Sequence, residues 1–179
     1  VERLLQKAAG KQVTVAADED LVDEIWKGRP PVSREPVWEL SVEYAGVSRE
    51  DKLADIHRQM EQDGTDALLL TMLDEIAWLL NLRGNDVRNT PVFLAYMLIT
   101  PNRNVLCLHR EILPEKIRDE LRNAGVETAD YQEIEELLQE LPEGTVLQAD
   151  RQSVNYHLWE CVPDGISIKD KESPVVNSK

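Results

Sequence analysis

Between residues 48 and 170, strand-length apolar runs alternate with helix-length amphipathic runs, and one pair of strands is joined with no helix between them. Strands separated by helices pair in parallel, because the crossover must return the chain to the same end of the sheet. A direct strand-to-strand connection instead reverses direction. The sheet must therefore be mixed, and helices must lie on both of its faces. The predicted class is α/β, a three-layer mixed sheet flanked by helices.

The individual elements are read from period and punctuation, and the run Trp38–Tyr44 is compatible with extended chain. Ser48-Arg49-Glu50-Asp51 resembles a capping box, Leu53, Ile56 and Met60 share one helical face, and Gly64 stops the helix. Residues 66–71, centred on Ala67-Leu68-Leu69-Leu70, form a buried strand. A helix is predicted over 73–80, with Thr71 as its candidate cap, followed by a polar loop over 82–90. Strands over 92–100 and 105–109, joined by the Pro101-Asn102-Arg103-Asn104 turn, make the hairpin. Pro114 opens a helix carrying Ile117, Leu121 and Ala124, and Gly125 ends it. A strand over 126–131 and a helix over 132–141 follow, then a strand at 145–149, a helix at 153–161 and a strand at 166–169. The last ten residues are polar and show no core pattern.

Upstream of this domain, residues 1–9 read as a helix stopped by Gly10, residues 12–16 as a short strand, and residues 20–26 as a second short helix. Pro30, Pro31 and Pro36 then fall within seven residues and forbid regular structure. A domain boundary is expected there. The helix–strand pair at 1–16 has a weak parallel in the pair at 153–169, as in an internal repeat.

Charge narrows the function. Lys and Arg number 20 against 34 Asp and Glu, a net charge of −14, which repels nucleic acid and anionic membranes and leaves a basic partner open. No apolar run approaches the length of a membrane-spanning helix. Cys107 and Cys161 are too few for a disulfide framework and read as small core residues. That usage fits a reducing compartment, so a cytoplasmic setting is expected. His57, His109 and His157 fall in different elements without metal-ligand spacing, and His57 reads as a solvated surface histidine. No G-x-S-x-G, phosphate-loop or C-x-x-C pattern occurs, and the acidic pairs fit exposed helix faces. No catalytic or metal-ligating residue is assigned.

One segment stands out. An apolar helix runs into Asn81-Leu82-Arg83-Gly84, where Gly84 can adopt the left-handed conformation that ends a helix. A loop bearing Arg83, Asp86, Arg88 and Asn89 then leads through Pro91 into an apolar strand. Those side chains can bind a carboxylate or a peptide backbone. Alternatively, an Arg83–Asp86 ion pair fixes the shape of the loop, and the loop's chemistry alone favours this second reading.

Residues 73–93 resemble the signature of the middle domain of three-domain aminopeptidase P enzymes, the Xaa-Pro aminopeptidases. Leu21-Val22-Asp23-Glu24-Ile25-Trp26-Lys27-Gly28-Arg29-Pro30 is similar to that family's link between first and second domains. Gly46-Val47-Ser48 with Asp51-Lys52-Leu53-Ala54-Asp55-Ile56 resembles the opening of its second domain, and Ser173-Pro174-Val175-Val176 the entry to its third. The resemblance implies a creatinase/prolidase N-terminal fold, ribonuclease H-like, over 34–170. Residues 1–33 would be the tail of a preceding domain plus linker, and 171–179 the start of a link to a C-terminal pita-bread catalytic domain outside this chain.

It further implies an enzyme that removes the N-terminal residue before proline with two divalent ions, manganese by family habit, held in that absent domain. This chain alone would be inactive and hold no cofactor. It would cover the catalytic domain, restrict entry of proline-containing peptides, and allow a homodimer. Its loop of Arg83, Asp86, Arg88 and Asn89 would face the active-site mouth. Trp78 and Leu82 would serve the core. The competing reading is a stand-alone peptidase-like module that binds a partner without catalysis.

Overall fold

A computed structural model describes residues 21–179, and the chain divides into two compact units between Val32 and Ser33. The helix expected over 1–9 and the strand over 12–16 lie outside the described residues, as does half of the suggested repeat. Among the described residues of the first unit, one short helix, α1 (Leu21–Ile25), is followed by irregular chain.

The second unit opens with β1 (Trp38–Glu39) and α2 (Val42–Ala45), then α3 (Arg49–Asp63), β2 (Ala67–Leu70) and α4 (Leu73–Leu79). A two-residue strand, β3 (Leu82–Arg83), precedes the hairpin of β4 (Ala95–Thr100) and β5 (Arg103–Leu108). The rest alternates: α5 (Glu115–Asn123), β6 (Val126–Asp130), α6 (Ile134–Gln139), β7 (Val146–Ala149), α7 (Tyr156–Cys161) and β8 (Ser167–Asp170). Six strands form one sheet in the order β6-β5-β4-β2-β7-β8, and β1 pairs with β3 separately. β4 runs antiparallel to both its neighbours, while β2–β7, β7–β8 and β5–β6 are parallel. The sheet is mixed, as the alternation demanded.

Both faces are covered. Leu68 and Leu70 of β2 point into a cluster with Ile56 and Met60 of α3, Ile76 and Leu79 of α4, and Ile117 and Leu121 of α5. Ala67 and Leu69 point the other way, toward Ile134 and Leu138 of α6 and Leu158 of α7. Helix α3 starts where its cap predicts: the Ser48 hydroxyl accepts from the Asp51 amide at 3.1 Å. It ends at Gly64, whose φ of 62° is left-handed.

Several local expectations are corrected. The run over 38–44 is not extended beyond Glu39, because Ser41 accepts from the Glu43 amide and opens the one-turn α2. Thr71 does not cap α4. Its hydroxyl donates to the Ser153 carbonyl at 3.1 Å, and Met72 takes the cap position without a side-chain bond. The predicted polar loop begins with a buried strand residue, Leu82.

The C-terminal segment is not free of the core. Val175 is fully buried in the first cluster, the Gln148 side chain donates to the Glu172 carbonyl at 2.9 Å, and Lys179 pairs with Asp74. Two adjacent valines in a polar run leave no periodicity to detect.

Gly84 is needed for a reason other than the predicted one. The left-handed residue after α4 is Asn81, with φ of 53°. At Gly84 a Cβ would sit 2.7 Å from Phe93 Cβ and 3.0 Å from the Val92 carbonyl oxygen. Neither neighbour is the far end of a flexible side chain, so neither can swing away. Gly84→Ala is expected to destabilise the chain by about 1–3 kcal/mol, the usual cost of forcing extra volume into a packed site. Urea unfolding checks this, and an unchanged midpoint would show that the two segments separate freely.

Candidate functional site

The segment singled out in the sequence is built around the end of α4. A seven-residue helix leaves most of its terminal carbonyls without partners of its own. Two cations reach two of them, those of Trp78 and Ala77. Lys52, from α3, donates to the Trp78 carbonyl at 2.8 Å and to Asn81 Oδ1 at 2.6 Å, and its ammonium lies 4.0 Å from the centre of the Trp78 ring. Arg83 Nη1 donates to the carbonyls of Ala77 and Leu82, each at 2.8 Å. Asn81 completes the corner: its amide donates to the Val47 carbonyl at 2.9 Å, and its own carbonyl accepts from the Leu40 amide at 2.8 Å.

Lys52 is only 4% exposed. Burial, and secondarily the Arg83 charge, push its pKa down to about 8. Arg83 is itself held below its ordinary value by burial. Arg49, one turn before Lys52, is buried too and pairs with Glu39 of β1, while its Nη1 has no partner among the described residues.

Beyond β3 the loop is held by its own backbone and one carboxylate. Asp86 Oδ2 accepts from the Leu94 amide at 2.7 Å, and the Asp86 amide donates to the Val92 carbonyl at 3.1 Å. The Thr90 amide closes a turn onto the Val87 carbonyl at 3.1 Å, with Asn89 left-handed at φ 61°. The Asn85 amide reaches Glu35 at 2.8 Å.

The four predicted residues thus share one loop but not one role. Arg83 and Asp86 turn inward, while Arg88 and Asn89 stand exposed at the tip. The Arg83–Asp86 ion pair offered as the alternative reading does not form: Arg83, in the strand paired with β1, donates to the carbonyls of Ala77 in α4 and Leu82 in β3. Lys52 and Arg49 were missed, yet the signal was present. Residues 49, 52, 53, 56 and 60 form one stripe of α3, so two cations stood in an otherwise apolar row.

The histidines make unrelated contacts. His57 is tied to Asn104 at 2.9 Å rather than simply solvated, His109 stacks on Tyr131 with ring centres 4.8 Å apart, and His157 faces Glu135 at 3.0 Å. Cys107 is a core thiol pushed up to about 12 by burial, with Glu133 and Asp130 adding to it. Cys161 is partly exposed. Among the described residues, one group of three metal-competent side chains converges: Glu135, His157 and Cys161.

Residues 28–179 match the Creatinase/Prolidase N-terminal domain family. A "Probable Xaa-Pro aminopeptidase P" of Coprinopsis cinerea is 36% identical over 145 residues, 80% of this chain and 23% of the relative. Aminopeptidase P2 of Arabidopsis thaliana is 39% identical over 116 residues, 64% of this chain and 16% of the relative. The chain therefore spans about a fifth of the length of such relatives. Among solved structures, the X-prolyl aminopeptidase of Caenorhabditis elegans, described as a cytosolic enzyme with a di-nuclear active site, superposes with a TM-score of 0.87 at 23% identity. That match covers 99% of this chain and 30% of the nematode enzyme. An aminopeptidase of Streptococcus pyogenes gives a TM-score of 0.52 at 23% identity, over 73% of this chain and 97% of that one. These two likenesses show the fold. Among the described residues the one converging trio includes a thiol, spans two helices and does not fit a di-nuclear centre.

The buried ammonium gives a pH signature. Lys52 falls from an ordinary 10.5 to about 8 on folding, so the native state binds fewer protons than the unfolded state between those values. Its burial cost is fully present below pH 8 and is relieved as pH rises from about 8 to about 10.5. Lys52→Met is expected to flatten that part of the stability–pH curve relative to the parent chain. Parallel curves from denaturant melts at closely spaced pH would refute the assignment.

Proposed function

Because the chain belongs to the creatinase/prolidase N-terminal domain family, we propose that it is the non-catalytic covering part of a metal-dependent Xaa-Pro aminopeptidase. In this reading residues 1–33 close a preceding domain, 34–170 are the covering domain, and 171–179 lead to a pita-bread catalytic domain. Two divalent ions, with manganese the proposed metal, belong to that domain and carry out the hydrolysis ahead of proline. The full enzyme is cytoplasmic and free to form a homodimer, and this chain alone is inactive.

The observation that carries the reading is the match over four-fifths of this chain to a relative so named, of which it spans less than a quarter. The local geometry supports a covering role. β1 lies beside β3 and the loop, and β1 with α2 leaves Trp38, Val42 and Tyr44 exposed, Tyr44 by 77%. Such an apolar surface suits contact with a neighbouring domain. Arg88 and Asn89 then meet peptides at the rim, while Arg83 and Asp86 hold the loop in place.

Two measurements test it. Antibodies raised against this chain should detect a native protein much larger than 20.4 kDa, and a band at that size would instead favour the stand-alone binding module. In the full-length enzyme, Arg88→Ala should lower kcat/KM for Xaa-Pro peptides about tenfold or more, the worth of one charge-assisted hydrogen bond. Its melting temperature should not change. Unaltered kinetics would remove the loop tip from the access route.

A further inference from the structure

On the layer opposite the loop, α6 and α7 pack side by side through Ile134, Leu138 and Leu158. His157 and Cys161 are four residues apart on α7 and so share one face, the face turned to Glu135 on α6. The three donor atoms lie within 4.8 Å of one another, and His157 Nε2 is already 3.0 Å from Glu135 Oε1. We propose that Glu135, His157 and Cys161 form a binding site for a single zinc-like divalent cation that clamps α6 to α7.

The donor set selects the metal. A thiolate, an imidazole and a carboxylate suit zinc, whereas manganese and magnesium prefer oxygen ligands. Tetrahedral ligands around zinc stand about 3.3–3.8 Å apart, given bond lengths of about 2.0–2.3 Å. The trio must therefore contract by about 1 Å at its widest, within reach of rotation by partly exposed side chains. Three protein donors leave the fourth position to water.

Electrostatics point the same way. The Cys161 thiol is pushed up by burial and then by the charges of Glu135 and Glu160. Burial disfavours the thiolate first, and the two nearby carboxylates add negative charge that a bound cation would offset. The His157–Glu135 pair is largely exposed, 67% and 40%, and such a pair contributes little by itself. Binding would release the thiol proton to solvent and require neutral imidazole, so affinity falls in acid. Both helices have only six residues, too short to be stable without external support. A cross-link between them acts where the fold is least self-sufficient.

The experiment uses the untagged 179-residue chain, its Cys161→Ser and His157→Ala variants, and zinc or cobalt ions alone. Zinc is titrated against a chromophoric chelator, and cobalt by absorption. The expected result is one zinc per chain, a rise in melting temperature with zinc, and a thiolate-to-cobalt charge-transfer band. Cys161→Ser should abolish the band, and His157→Ala should weaken zinc binding at least about tenfold, since even partners behind metal ligands cost that much. Both substitutions replace side chains outside the fully buried core, and circular dichroism without metal confirms that each variant folds. Absence of stoichiometric zinc binding overturns the proposal. So does binding that survives both substitutions, or a cobalt spectrum without the thiolate band.

Discussion

β2 has to be buried on both sides. Its four residues are each exposed by 3% or less, and successive side chains of a strand point to opposite faces. Leu68 and Leu70 therefore demand cover on one face, and Ala67 and Leu69 on the other. No two-layer arrangement satisfies such a strand. Its neighbours inherit the same demand: Met97 and Ile99 of β4 join the first cluster while Leu98 joins the second, and Leu106 and Leu108 of β5 separate in the same way from Val105 and Cys107. The helical layers follow from this requirement, and the lengths of the connections decide which helix serves which face.

The first layer carries an additional problem. α4 is short and ends inside the protein, so its last carbonyls cannot turn to water. Two cations solve this at a cost. Lys52 loses hydration, and its depressed pKa registers the loss. The Trp78 and Asn81 contacts offset part of it and at the same time fix the path of the chain into β3. β3 pairs with β1 rather than with the main sheet, and the loop that follows carries its residues 87–90 exposed. The exposure of Arg88 and Asn89 is thus a consequence of how one helix terminus is satisfied.

Much of this was legible in the sequence. Alternating period and a helix-free connection fixed the three layers and the mixed sheet, and Ser48, Gly64, Pro114 and Gly125 marked helix ends by local chemistry. What escaped detection shares a physical cause. β1 and β3 have two residues each, too few for any period, and exist only because they pair with each other. Val175 is buried because Ser173 and Lys179 tie its segment to the body of the domain, not because a periodic apolar pattern marks it. Gly84 read as a helix stop because that is what glycine most often does there, whereas its actual duty, close approach to Phe93, is set by the segment that leads into β4 nine residues on. At the loop, residue types suggested an ion pair, but carbonyls fixed by α4 competed for Arg83 and won.

The two helical layers also divide the charge. Arg49 and Lys52 are withdrawn into the first layer, and Arg83 is partly buried there, which leaves the remaining surface of a chain of net charge −14 more acidic than its composition alone suggests. A surface approaching Trp38, Val42 and Tyr44 therefore feels two forces of different range. The acidic field favours a basic partner but is screened beyond about 8 Å at physiological salt, so it guides approach more than it holds. Once contact is made, burial of the exposed aromatic and aliphatic side chains must supply the affinity. On the opposite layer no such apolar surface accompanies the acids of α6 and α7. There Glu135 and Glu160 gather charge near Cys161, which the proposed cation would offset. One sheet thus presents two chemically different exteriors, and the difference begins with where its few interior cations are spent.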